Sequence, residues 1–130
     1  MSNPKITYHS NGKKSSEEYL FKGVYHRLDG PAYTAWYENG QKTVEIYYLK
    51  GIFHRIGGPA RSSWNIYGEQ LAVFYYVNNH LHREDGPACV YYDRLLKNIK
   101  IDKSFYLNGV RYNVRSFKKF KQMIKLMVFK

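Results

Sequence analysis

The chain reads as mainly β: an antiparallel meander of hairpin repeats with a 28-residue period, closed by a short C-terminal capping α-helix. Three observations lead there. One block of residues recurs three times at fixed spacing, aromatic residues make up 18% of the 130 residues, and only the last stretch carries a helical period. Fourteen of the aromatic residues are Tyr, which suits a pleated, half-buried surface better than a helix interior.

The recurring block is VYHRLDGPAYTAW at 24–36, IFHRIGGPARSSW at 52–64 and LHREDGPACVYY at 81–92. His26, His54 and His82 fall 28 residues apart, as do Arg27, Arg55 and Arg83, and Gly30, Gly58 and Gly86. Pro31, Pro59 and Pro87 keep the same interval, and so do Ala32, Ala60 and Ala88; Trp36 and Trp64 match Tyr92. A second match runs through Tyr47-Tyr48-Leu49 and Tyr75-Tyr76-Val77. It continues after a two-residue insertion at Phe105-Tyr106-Leu107, and Tyr19-Leu20-Phe21 fits the register upstream. Identity at this many columns excludes coincidence. The units fall at about 6–32, 33–60, 61–88 and 89–115 of one domain spanning 1–130, with a helix over 116–129.

Within a unit the order is strand, turn, strand, turn. Ala32 to Tyr37 alternates small and large residues and stops at Asn39-Gly40, a strong hairpin signal. Thr43 to Leu49 is β-branched and aromatic and stops at Lys50-Gly51, while Asn11-Gly12 and Asn108-Gly109 punctuate the first and last units. Strands joined by tight turns become antiparallel neighbours. In the Asp-Gly-Pro-Ala block, Gly supplies a positive φ, Pro fixes its own φ, and Asp bonds its downstream backbone. Arg is expected to bridge to a carbonyl or carboxylate, and His to stack on its counterpart one repeat away, as ladders do in repeat proteins. Trp36, Trp64, Tyr48, Tyr76 and Tyr106 are the expected core; Tyr33, Tyr37, Tyr47 and Tyr75 fit either core or surface.

The last unit departs from the pattern. Tyr112 stands where His is expected, no Asp-Gly-Pro follows, and a helical period begins after Ser116, a good N-cap. Phe117, Phe120, Ile124 and Met127 or Val128 form one apolar stripe, and lysines occupy the other faces. The stripe is expected to cap the final hairpin.

Net charge is +11, and its placement is uneven. Residues 1–96 hold 11 Lys and Arg against 9 Asp and Glu; residues 97–130 hold 10 against Asp102 alone. Lys97, Lys100, Lys103, Arg111, Arg115, Lys118, Lys119, Lys121 and Lys125 are therefore the candidates for an anionic partner, whether nucleic acid or another acidic surface. A peripheral membrane contact fits less well, because the apolar stripe cannot cap the sheet and enter lipid together. A single cysteine, Cys89, and no signal-like or membrane-spanning run lead to the expectation of an intracellular, soluble protein.

The phrases HRLDGPA and HREDGPA, with the spaced Y-x-N-G and Y-Y-L-x-G turns, resemble the HRxDGPA repeat proteins of giant DNA viruses, phages and some bacteria, often labelled MORN-like. The stretch YYVNNHLHREDGPA at 75–88 resembles a MORN unit, and the likeness covers roughly 6–115. The resemblance implies a β-hairpin array that scaffolds or makes protein contacts, with no reaction and no cofactor, and a virion or host-interaction role. Two departures stand out: Gly57 replaces the Asp in the middle copy, and the full MORN glycine pattern is absent.

Three His beside acids raise the question of a metal. Ligands must converge within about 2–2.5 Å of one ion, whereas His two strands apart lie roughly 10 Å from each other. Asp29 and Asp85 as acids are undercut by the middle copy, which keeps the block without one. The reading is of a non-catalytic module with no metal site. It binds another protein, with nucleic acid through 97–130 as the alternative, and homo-oligomers by sheet-edge pairing are a further expectation.

Overall fold

The structure, a computed structural model, describes residues 3–93 and 100–128. Fifteen strands and one helix follow in order: β1 (Lys5–Tyr8), β2 (Lys14–Glu18), β3 (Leu20–Phe21), β4 (Val24–Tyr25), β5 (Tyr33–Trp36), β6 (Lys42–Ile46), β7 (Tyr48–Leu49) and β8 (Ile52–Phe53). Then come β9 (Arg61–Trp64), β10 (Gln70–Phe74), β11 (Tyr76–Val77), β12 (His80–Leu81), β13 (Cys89–Tyr92), β14 (Lys100–Leu107), β15 (Val110–Tyr112) and α1 (Phe117–Val128). The fold is mainly β, a large antiparallel meander of hairpins with one C-terminal helix.

Nine strands form the main sheet in the order β1-β2-β5-β6-β9-β10-β13-β14-β15. The skipped strands pair as short hairpins, β3 with β4, β7 with β8 and β11 with β12. β14 serves both roles: Lys100 to Ser104 pair with β13, and Phe105 to Leu107 pair with β15. The run 43–49, expected as one strand, is thus two. The chain leaves the main sheet at Tyr47 and enters a second, shorter hairpin.

Turn chemistry separates the two hairpin types. Lys50 and Gly51 both have positive φ, 49° and 81°, and Asn108 and Gly109 match them at 49° and 81°. Both central residues at positive φ define the type I′ turn that suits a two-residue hairpin. Asn11-Gly12 is different: Gly12 N–H donates to His9 C=O (3.0 Å), and only the glycine has positive φ. The two Asn-Gly pairs therefore close opposite ends of the repeat and are not equivalent. Each long hairpin also carries a bulge, visible where Ala35 faces Val44 while Trp36 faces Lys42, leaving Thr43 extra. Ser15 and Leu71 are left extra in the same way.

In the three recurring blocks the most deeply buried residues are small. Ala32, Ala60 and Ala88 are wholly buried, with Thr34 and Ser62 nearly so. Each Ala donates its N–H to the following strand and accepts from the preceding one: Ala60 N–H to Phe74 C=O (2.9 Å), Tyr47 N–H to Ala60 C=O (2.7 Å). The aromatic residues expected as the core, Trp36, Trp64, Tyr48, Tyr76 and Tyr106, are only half-buried. Tyr48 and Tyr76 join a stack with Tyr25 and Phe53, Tyr25 on Tyr48, Tyr48 on Phe53 and Phe53 on Tyr76, at centroid separations of 5.0, 5.0 and 4.8 Å.

α1 begins as expected: Ser116 Oγ accepts from Lys119 N–H at 3.3 Å. Its anchor is narrower than the predicted stripe. Phe120 is fully buried, 4.7 Å from the ring of Phe105, while Phe117 and Met127 are exposed. A stripe read from periodicity marks what can be buried; the depth of the underlying hairpin decides how much is.

Candidate functional site

The loops from His to Pro stand side by side along the sheet, and each recurring side chain has one task. Arg55 lays its guanidinium over the ring of Tyr47 at 3.9 Å and donates from Nη1 to Pro59 C=O at 3.1 Å. Arg27 does the same with Tyr19 and Pro31, and Arg83 with Tyr75 and Pro87. The side turned away from the ring is closed by glycine. A Cβ on Gly30, Gly58 or Gly86 would sit 2.9, 2.7 or 2.7 Å from the Arg Cζ. None of the three has positive φ. The expected reason for this glycine is therefore corrected: it admits the guanidinium and does not supply an unusual backbone angle. Gly57 alone in the block has positive φ, at 84°.

The histidines do not stack on one another. His26 Nδ1 accepts from Lys50 N–H at 2.9 Å, His54 Nδ1 from Asn78 N–H at 3.0 Å and His82 Nδ1 from Asn108 N–H at 3.0 Å. Each thus holds the hairpin turn of the next copy, and with Nδ1 accepting, the neutral ring carries its proton on Nε2. Backbone bonds run beside this contact, such as Arg55 N–H to Tyr76 C=O at 3.1 Å.

Asp29 and Asp85 accept from the Nε of their own loop's Arg at 3.0 and 2.9 Å. That bond is the leading cause holding the Asp85 carboxyl below its ordinary value. Among the described residues no three His, Cys, Asp or Glu gather as a metal site would require. Burial pushes the Cys89 thiol up, away from the reactive thiolate.

Between successive loops run two matching grooves. One, of about 400 Å³, lies between the Arg27 and Arg55 loops; the other, of about 440 Å³, lies between the Arg55 and Arg83 loops. Leu28 and Ile56, at equivalent loop tips, are 75% and 73% exposed. The platform tyrosines were the residues least obvious in advance. Their signal was present, since a Tyr precedes each block Arg by the same interval in all three copies.

The basic candidates lie elsewhere. Lys103 is exposed on β14 and Arg111 on β15; Arg115 is exposed on the segment leading into α1. On α1, Lys118, Lys119, Lys121 and Lys125 are all exposed, and the helix has no acid in its first turn. Lys100 pairs with Tyr92 through β14, and Lys97 lies outside the described residues. Among the described residues none of the four helix lysines forms an ion pair. No helix there is long and apolar enough to cross a membrane.

Compared with known proteins, the chain matches no protein family, no curated protein and no solved structure.

Proposed function

We propose that the protein is a non-catalytic interaction module of HRxDGPA-type, MORN-like repeats, and that it binds another protein along the row of loop tips. One contrast carries the reading. The recurring polar groups are engaged in bonds within the fold, while the apolar tips Leu28 and Ile56 stand out in solvent at the same place in successive loops. Exposed apolar side chains arrayed at a fixed interval are a surface for a partner. An enzyme would need polar groups converging on a pocket, and here the repeat spreads them along a row. A structural or host-interaction role in a virus or phage fits the resemblance.

Pull-down from cells that express the chain tests this when run beside two variants. Partners should be lost with Leu28→Ser/Ile56→Ser and kept when Lys118, Lys119, Lys121 and Lys125 are changed to Glu. The reverse pattern would move the interface to the basic end.

One observation favours a second reading, nucleic-acid binding through 97–130. Lys118 and Lys119 open α1 at the end where the helix dipole disfavours cations, each at a cost of about 0.3–1 kcal/mol. Stability does not explain them, whereas a phosphate partner would. Duplex DNA binding that weakens steeply with salt would support this. A membrane partner fits less well, because Phe120, which would enter lipid, is buried on Phe105. The outer edge of β1 pairs with no strand among the described residues, and self-association through it would appear in sedimentation.

A further inference from the structure

We propose that the groove beneath Arg55 is a carboxylate receptor, which takes an Asp or Glu side chain of the protein partner into the place that Asp29 and Asp85 fill in the neighbouring loops. The proposal rests on the docking reading above and names the chemistry of the partner.

The internal copies supply the template. Arg27 Nε donates to Asp29 at 3.0 Å and Arg83 Nε to Asp85 at 2.9 Å. Arg55 is held by the same ring and the same proline carbonyl, but Gly57 stands where the acid does. Among the described residues, Arg55 Nε donates to no acceptor. The space is open: a Cβ at position 57 would meet nothing within 4 Å, and Gly57 lines the groove between the Arg55 and Arg83 loops. An Arg offers a planar fork matched to a carboxylate. This fork is fixed beforehand between Tyr47 and Gly58, so little freedom is lost on binding.

The surroundings narrow the ligand. Ile56 is 73% exposed beside the slot, so an acid flanked by apolar residues fits. On the far wall Asp85 is already tied to Arg83, and Glu84 lies 3.7 Å from His82. Glu84 adds negative charge that a single carboxylate tolerates and a run of phosphates does not. An acidic apolar peptide segment is therefore the occupant, and a polyphosphate chain is not.

The test is an NMR titration of the full chain with N-acetyl-Leu-Asp-Leu-amide, its Asn counterpart and inorganic phosphate, observing the Nε–Hε signals of the three loop arginines. The Arg55 signal should shift and saturate with the Asp peptide, binding about fivefold tighter than the Asn peptide, as one exposed charge-assisted bond allows. Arg27 and Arg83 should stay still. Asp29→Gly, which gives the first loop the Gly-Gly pair of the middle one, should make Arg27 respond as well, a gain that misfolding cannot mimic. An unmoved Arg55, an equal response to the Asn peptide, a stronger response to phosphate, or a silent Arg27 in Asp29→Gly would each overturn the receptor. If Arg55 fails while the loop-tip variant still loses its partners, the docking reading stands alone. If Arg55 binds and the loop-tip variant keeps every partner, the slot takes a carboxylate, but the docking reading falls and with it a loop-tip partner as the source of that carboxylate.

Discussion

The guanidinium of Arg55 lies 3.9 Å from the ring centre of Tyr47, and the pairing recurs as Arg27 on Tyr19 and Arg83 on Tyr75. A cation partly removed from water over an aromatic face contributes about 0.5–2 kcal/mol. Ring, cation and glycine backbone form three layers that fix the path of each loop. The loops in turn set the spacing of everything exposed at their tips.

Gly58→Ala tests the layering. The added methyl would lie 2.7 Å from Arg55 Cζ, so the guanidinium must leave both Tyr47 and the Pro59 carbonyl. The end of a flexible side chain can give way, so the expected cost is about 0.5–2 kcal/mol, the worth of the cation–ring contact that is lost. Urea unfolding measures it, with Gly30→Ala as the same experiment in the first copy. Wild-type stability in both variants would show that the contact does not hold the loop.

Phe120→Ala tests the cap. Among the described residues Phe120 is the largest side chain that is fully buried, and it sits on Phe105, itself only 2% exposed. Truncation should destabilise by about 3–5 kcal/mol and remove helical signal from the circular dichroism spectrum. Phe117→Ala, at a position 37% exposed, should do far less. Equal effects would mean that the helix docks through a broader face.

Tyr19→Phe tests an electrostatic link in the first copy. The Tyr19 hydroxyl donates to Glu17 at 2.7 Å and is the leading cause holding that carboxyl below its ordinary value, with Lys14 helping at 3.1 Å. A carboxyl lowered by folding stabilises the fold above its unfolded value, and that contribution fades as pH falls through the lowered one. Removing the hydroxyl should raise the Glu17 midpoint in a carbon-detected NMR titration. The stability gap between variant and wild type should close in acid. An unmoved midpoint would mean that the bond is not formed in solution.

The meander was readable in the sequence because turn signals and a strict period both point to it, and a repeat cannot hide its interval. Two layers of meaning were not. Thr43 to Leu49 looks like one strand because residues on either side of Tyr47 share the same β-prone chemistry; only pairing reveals that β6 and β7 belong to different hairpins. Turn chemistry gives Gly58 a local task and the repeat interval pairs each histidine with its counterpart, yet their partners are a side chain packed across the loop and a turn amide one copy away. Local propensity carries no record of contacts made across the stack. The basic residues were visible as a cluster in sequence, and the fold disperses them over β14, β15 and α1.

The central claim is that matched side chains lock each copy to the next, and hydrogen exchange at three turn amides tests it most directly. Lys50, Asn78 and Asn108 sit at exposed hairpin tips, where amides normally exchange freely, yet each N–H donates to a histidine of the preceding copy. All three should be protected, and His54→Ala should release Asn78 while leaving Lys50 slow. Free exchange at all three tips in the unaltered protein would contradict the claim.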